Sequence, residues 1–85
     1  MQELKYVITD EMGLHARPAG QLVKVAIRFK SDIQLGTPCK MVNAKRIMGV
    51  MGLAIKKGEE LTITLNGDDE KEARGVLEAF LKANL

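Results

Sequence analysis

With 85 residues, 46% of them hydrophobic and 28% charged, the chain suffices for one thin core and is too apolar for a disordered tail; we expect a single domain over residues 1–85. Basic and acidic residues number 13 and 11, a net charge of +2, with no Trp, one Tyr and two Phe, which argues against a basic, base-stacking nucleic-acid surface. The one Cys and one His make neither an internal disulfide nor a zinc site by themselves, and the absence of a signal peptide or an apolar run of membrane length points to a reduced, cytoplasmic protein without membrane insertion.

In chain order, Leu4, Tyr6 and Ile8 recur with period two, so Leu4–Thr9 reads as a half-buried strand. Asp10 to Gly13 reads as a polar loop. From Ala16 to Phe29 the period changes: Ala19, Leu22, Val23 and Ala26 form a helical stripe, with Lys24 and Arg28 on the opposite face. Ile33 and Leu35 lie on a short strand, Gly36–Cys39 on a turn, and Lys40–Asn43 on the returning strand of a hairpin. Cys39 is an incidental turn residue.

Ile47–Leu53 is short and carries Gly49 and Gly52, each costing ~1 kcal/mol against Ala inside a helix. A brief helix held by tertiary contacts is expected, leaving Ile47, Met48 or Met51 outside the core. Methionine repacks against different partners, so this reads as an adaptable docking patch. Leu61, Ile63 and Leu65 define a further strand. Asp69 and Glu72 have the form of a capping box, opening a helix striped by Ala73, Val76, Leu77, Phe80 and Leu81. The acidic run 68–72 complements the helix dipole and is not a metal site. The resulting order β-α-β-β-α-β-α predicts an α+β fold, a four-stranded antiparallel sheet with three helices on one face.

The stretch that stands out is Gly13-Leu14-His15-Ala16-Arg17-Pro18-Ala19-Gly20, which holds the sole histidine. Pro18 is tolerated in a first helical turn, where amides lack intrahelical acceptors. Those amides and the helix dipole favour an anion, and Arg17 adds a planar cation suited to phosphate oxygens. Imidazole is substantially neutral, hence nucleophilic, near neutral pH. The pattern points to a histidine that accepts a phosphoryl group, cradled by Ala16 and Arg17 without a metal or cofactor, against the plainer reading of a surface histidine capping a helix. Two helix starts remain open: Ala16, which the cradle needs, and Pro18, because a residue preceding proline is biased away from helical geometry.

Together with Asn43-Ala44-Lys45-Arg46-Ile47-Met48-Gly49-Val50-Met51-Gly52-Leu53, this motif gives the chain a resemblance to HPr, the histidine-containing phosphocarrier of the phosphoenolpyruvate-dependent sugar phosphotransferase system. The resemblance covers essentially the whole chain and implies an open-faced β-sandwich. It implies that His15 is phosphorylated at Nδ1 with Arg17 as its companion. It implies docking on enzyme I and on sugar-specific enzyme II A components through Ile47, Met48 and Met51, with Lys24, Lys45 and Arg46 as positive rim. The protein would be a monomeric carrier, not a free-standing turnover enzyme. Many relatives have a serine, phosphorylated by a dedicated kinase, at the position of Arg46; here that regulatory site is absent. Met12 and Gly20 also depart from the usual polar and small non-glycine residues. The alternatives are a carrier in a parallel regulatory phosphotransfer chain and an HPr-like regulatory binding module, against which His15 speaks.

Overall fold

The computed structural model describes residues 1–85. Its elements are β1 (Gln2–Val7), α1 (Ala16–Ile27), β2 (Asp32–Thr37), β3 (Lys40–Asn43), α2 (Ile47–Met51), β4 (Glu60–Asn66) and α3 (Glu70–Asn84). The strands form one antiparallel sheet in the order β1-β4-β2-β3. Register follows hydrophobicity. Leu4 lies opposite Ile63, and Ile63 and Leu65 lie opposite Leu35 and Ile33. All five are buried. The alternate positions pair Glu3 with Thr64 and Lys5 with Thr62, so a slip of one residue would turn the apolar set out to solvent.

The helices supply the other half of one continuous core of 20 buried apolar residues. In α1 the predicted stripe of Ala19, Leu22, Val23 and Ala26 is buried, and Pro18 joins it. Ile27, off this stripe, is exposed. In α3 the innermost positions are Ala73, Leu77 and Leu81, flanked by half-buried Val76 and Phe80. Each fully buried Leu or Ile contributes roughly 1.5–3 kcal/mol of transfer free energy, and the sheet face alone presents Leu4, Ile33, Leu35, Leu61, Ile63 and Leu65. The fold is thus the expected open-faced sandwich.

Two local readings are corrected. The first is the capping box at α3. Asp69 is the N-cap residue, but its side chain makes no cap bond. Its carboxylate reaches across to the α1–β2 turn. It accepts from the Lys30 amide at 2.9 Å and the Ser31 amide at 3.0 Å, and also from the Ser31 hydroxyl. Ser31 is buried, so a partner for its hydroxyl is worth more than a local cap. These bonds, the Ser31 hydroxyl first, hold the Asp69 carboxyl below its ordinary value. Glu72 makes no reach-back to the Asp69 amide; Glu70 instead accepts the Gly67 amide at 3.1 Å, just ahead of the helix. The Met1 ammonium, then that amide, hold Glu70 low as well. The second is Lys45: its ammonium donates to the Phe29 carbonyl at 2.7 Å, past the end of α1, where a cation suits the helix dipole. It therefore fastens the β3–α2 connection to α1 and is not a free rim charge.

Candidate functional site

The helix begins at Ala16. His15 is the N-cap, extended at φ −90° and ψ 179°, with no side-chain cap bond. The first helical bond runs from the Ala19 amide to the His15 carbonyl at 3.0 Å. Pro18 is therefore the third helical residue, where an N–H would have no intrahelical acceptor. The conflict over Arg17 preceding proline is resolved in favour of the longer helix. The Ala16 and Arg17 amides have no protein acceptor, which leaves the predicted anion cradle open at the helix start. Arg17 itself is exposed.

The segment before His15 is fixed from outside. Gly13 has φ +66°, and a Cβ on it would stand 2.3 Å from the Ile55 carbonyl oxygen. That same oxygen accepts the Leu14 amide at 2.8 Å. The Gly13 carbonyl accepts the His15 amide at 3.0 Å. From the other side, the Leu85 carbonyl beyond α3 takes the Thr9 amide (2.6 Å), the Asp10 amide (2.9 Å) and the Thr9 hydroxyl (2.8 Å). Lys57 pairs with Glu11. The loop is thus tied to the α2–β4 connection and to the end of α3.

His15, Arg17 and Pro18 line an open cleft of about 270 Å³ together with Asp10, Gln21 and Asn84. The last three were not singled out by sequence reasoning. Asp10 Oδ1 lies 3.8 Å from His15 Nε2, and both side chains are about one-third exposed. Its only sequence signal is the short polar residue before a glycine turn, seen here as Met12 N–H donating to Oδ1 at 2.8 Å. The cleft carries an imidazole, a guanidinium, a carboxylate and two amides, and no clustered ligands suited to a metal ion.

The expected docking residues are not among those lining this cleft. Val50 is the buried residue of α2, while Ile47, Met48 and Met51 are 37%, 81% and 45% exposed. Lys24 is exposed on α1, against which α2 packs. Arg46 is the exposed N-cap of α2 and makes no cap bond. Met12, beside the His15 loop, is 71% exposed. No helix is long and apolar enough to cross a membrane.

A family model described as the PTS HPr component phosphorylation site matches residues 2–83. Among solved structures, the chain is similar to HPr-C-His from Thermoanaerobacter tengcongensis, with 40% identity over 98% of this chain and 93% of that one and a TM-score of 0.91. It is similar to the phosphocarrier protein HPr of Bacillus anthracis, with 42% identity, 94% and 95% coverage and a TM-score of 0.86. It is also similar to Crh, the catabolite repression containing protein of Bacillus subtilis, described as a dimer with a swapping domain. Identity there is 42%, coverage 100% and 98%, and the TM-score 0.77.

Proposed function

The chain belongs to the HPr family, and from that premise we propose that it carries a phosphoryl group on His15 Nδ1, taken from phospho-enzyme I and passed to sugar-specific enzyme II A components. The observation that carries this is the N-cap position of His15, directly before the unbonded amides of Ala16 and Arg17. The Nδ1 lone pair attacks phosphorus. The bond from phosphorus to the donor breaks, and its electron pair stays with the donor. Onward transfer reverses the roles, with Nδ1 as the leaving atom. Helix-terminal amides favour the dianionic group by roughly 0.3–1 kcal/mol at an exposed site. Arg17 adds charge-assisted hydrogen bonds to its oxygens. This holds the group only loosely, which suits a group to be passed on.

In this reading residues 1–85 act as one cytoplasmic, monomeric carrier domain that turns over only with its partners. Ile47, Met48 and Met51 form the apolar centre of the docking surface, with Lys24 and Arg46 as charged rim. Arg46 offers no hydroxyl to a kinase, so the carrier lacks that switch. Similarity to Crh over the whole chain supports a second reading, a regulatory binding module or a carrier in a parallel regulatory chain. Incubation with enzyme I and phosphoenolpyruvate followed by intact mass separates them. One added phosphate, labile in acid and lost with His15→Ala, is expected of the carrier. An unmodified parent chain would leave the binding module or a carrier served by another enzyme I.

A further inference from the structure

We propose that Asp10 is the positioning residue for the His15 imidazole: its carboxylate keeps the ring proton on Nε2, leaving the Nδ1 lone pair free to take the phosphoryl group. This rests on His15 being the acceptor, as read above.

The loop presents Asp10 in one orientation. Its Oδ1 accepts the Met12 amide at 2.8 Å, its amide donates to the Leu85 carbonyl at 2.9 Å, and its carbonyl accepts the Gly13 amide at 2.9 Å. No lysine or arginine neutralises it: the other acidic side chains in ion pairs are Glu70, Glu3, Glu11 and Glu78. The basic side chain that Asp10 faces within 4 Å is the His15 ring, at Nε2 and 3.8 Å. That exceeds a direct hydrogen bond, so the carboxylate acts through its field or through one bridging water.

Its sign is right for the chemistry. Before transfer, a negative charge beside Nε2 favours the tautomer with the proton there. As the Nδ1–P bond forms and the donor takes the electron pair of the breaking bond, positive charge spreads over the ring. The Nε2–H that shares it points towards a carboxylate. Because the two ring nitrogens lie on different sides of the imidazole, Asp10 stabilises that charge from the side away from the phosphoryl oxygens. An aspartate that fixes tautomer and steadies imidazolium is the logic of the serine-hydrolase triad, here on a surface carrier.

The test uses the full chain with Asp10→Asn, which keeps an acceptor for the Met12 amide and removes the charge. Asp10→Ser serves as a second variant should the amide disturb the loop. Ring nitrogen resonances of His15 are read by NMR in the unphosphorylated protein at a pH where the ring is neutral. The Nδ1–H tautomer should rise about two- to fivefold, the factor an exposed charge contact commands. The rate of phosphorylation by enzyme I should fall by a similar factor at unchanged KM. Unaltered tautomer populations overturn the proposal, as does an unaltered rate. The NMR arm needs no donor, so a parent chain that enzyme I never labels defeats the carrier reading and leaves the Asp10 measurement standing.

Discussion

Gly13→Ala is the sharpest test of how the His15 loop is held. Two costs are separable. An L-residue at φ +66° bears about 1–2 kcal/mol of left-handed strain. A Cβ 2.3 Å from the Ile55 oxygen and 2.8 Å from Lys56 Cα cannot be absorbed by a rotamer change, since both neighbours are backbone. The loop must move, and the 2.8 Å bond from the Leu14 amide to Ile55 goes with it, for a further ~0.5–1.5 kcal/mol. The sum, roughly 1.5–3.5 kcal/mol, corresponds to a melting temperature lower by about 6–28 °C in a domain of this size. Gly58→Ala is the internal control: φ is +89°, yet nothing lies within 4 Å of the added Cβ, so only the strain remains. Thermal unfolding followed by circular dichroism, with phosphotransfer measured at a temperature where all three proteins are folded, reads both effects. Gly13→Ala should melt below Gly58→Ala and transfer more slowly than the parent. Equal melting of the two variants would refute the clash, and parental transfer by Gly13→Ala would refute the link from Ile55 to His15.

Three further outcomes are expected. The folded-state pKa of Asp69 lies below its ordinary 3.8. Its stabilisation is therefore complete above that value and lost as pH falls through the folded one. The melting advantage of the parent over Asp69→Asn should hold at neutral pH and shrink below about pH 4; a gap that persists in acid would mean that the charge is irrelevant. Gly20 sits inside α1 with nothing within 4 Å of an added Cβ, so Gly20→Ala should stabilise the protein by about 0.5–1 kcal/mol in denaturant titration. Met48, 81% exposed, should tolerate aspartate within about 0.5 kcal/mol while calorimetry shows weakened binding to enzyme I; unchanged affinity would move the docking surface elsewhere.

What sequence alone made legible is what repeats. The alternation of Leu61, Ile63 and Leu65 and the stripe of Ala73, Leu77 and Leu81 are local signals that packing then reinforces. All six are fully buried. The misreadings share a cause. Asp69 looks like half of a local capping box until Ser31, 38 positions away, presents a buried hydroxyl. Lys45 looks like a surface charge until the Phe29 carbonyl comes within 2.7 Å. In the cleft, His15 and Arg17 stand out in the sequence because one histidine before an Arg-Pro pair has few readings. Asp10 was not, because its approach to Nε2 depends on a turn at Gly13 that Ile55 permits and Leu85 anchors, and neither residue is a sequence neighbour.

That dependence bears on what a carrier requires. The segment from Thr9 to Leu14 belongs to no helix or strand; beyond two turn bonds onto Asp10, it is held by acceptors from two distant parts of the chain. Three donors converge on the Leu85 carbonyl and one on Ile55, each worth roughly 0.5–1.5 kcal/mol. Under the proposed function, a histidine that accepts from one protein and donates to another cannot rely on either partner to orient it, because the geometry must serve both directions of transfer. Supporting residues within the carrier's own fold provide that preorganisation. The imidazole stays partly open while the backbone beneath it is anchored to the buried residues Ile55 and Leu85, so access and rigidity are assigned to different atoms of the same loop.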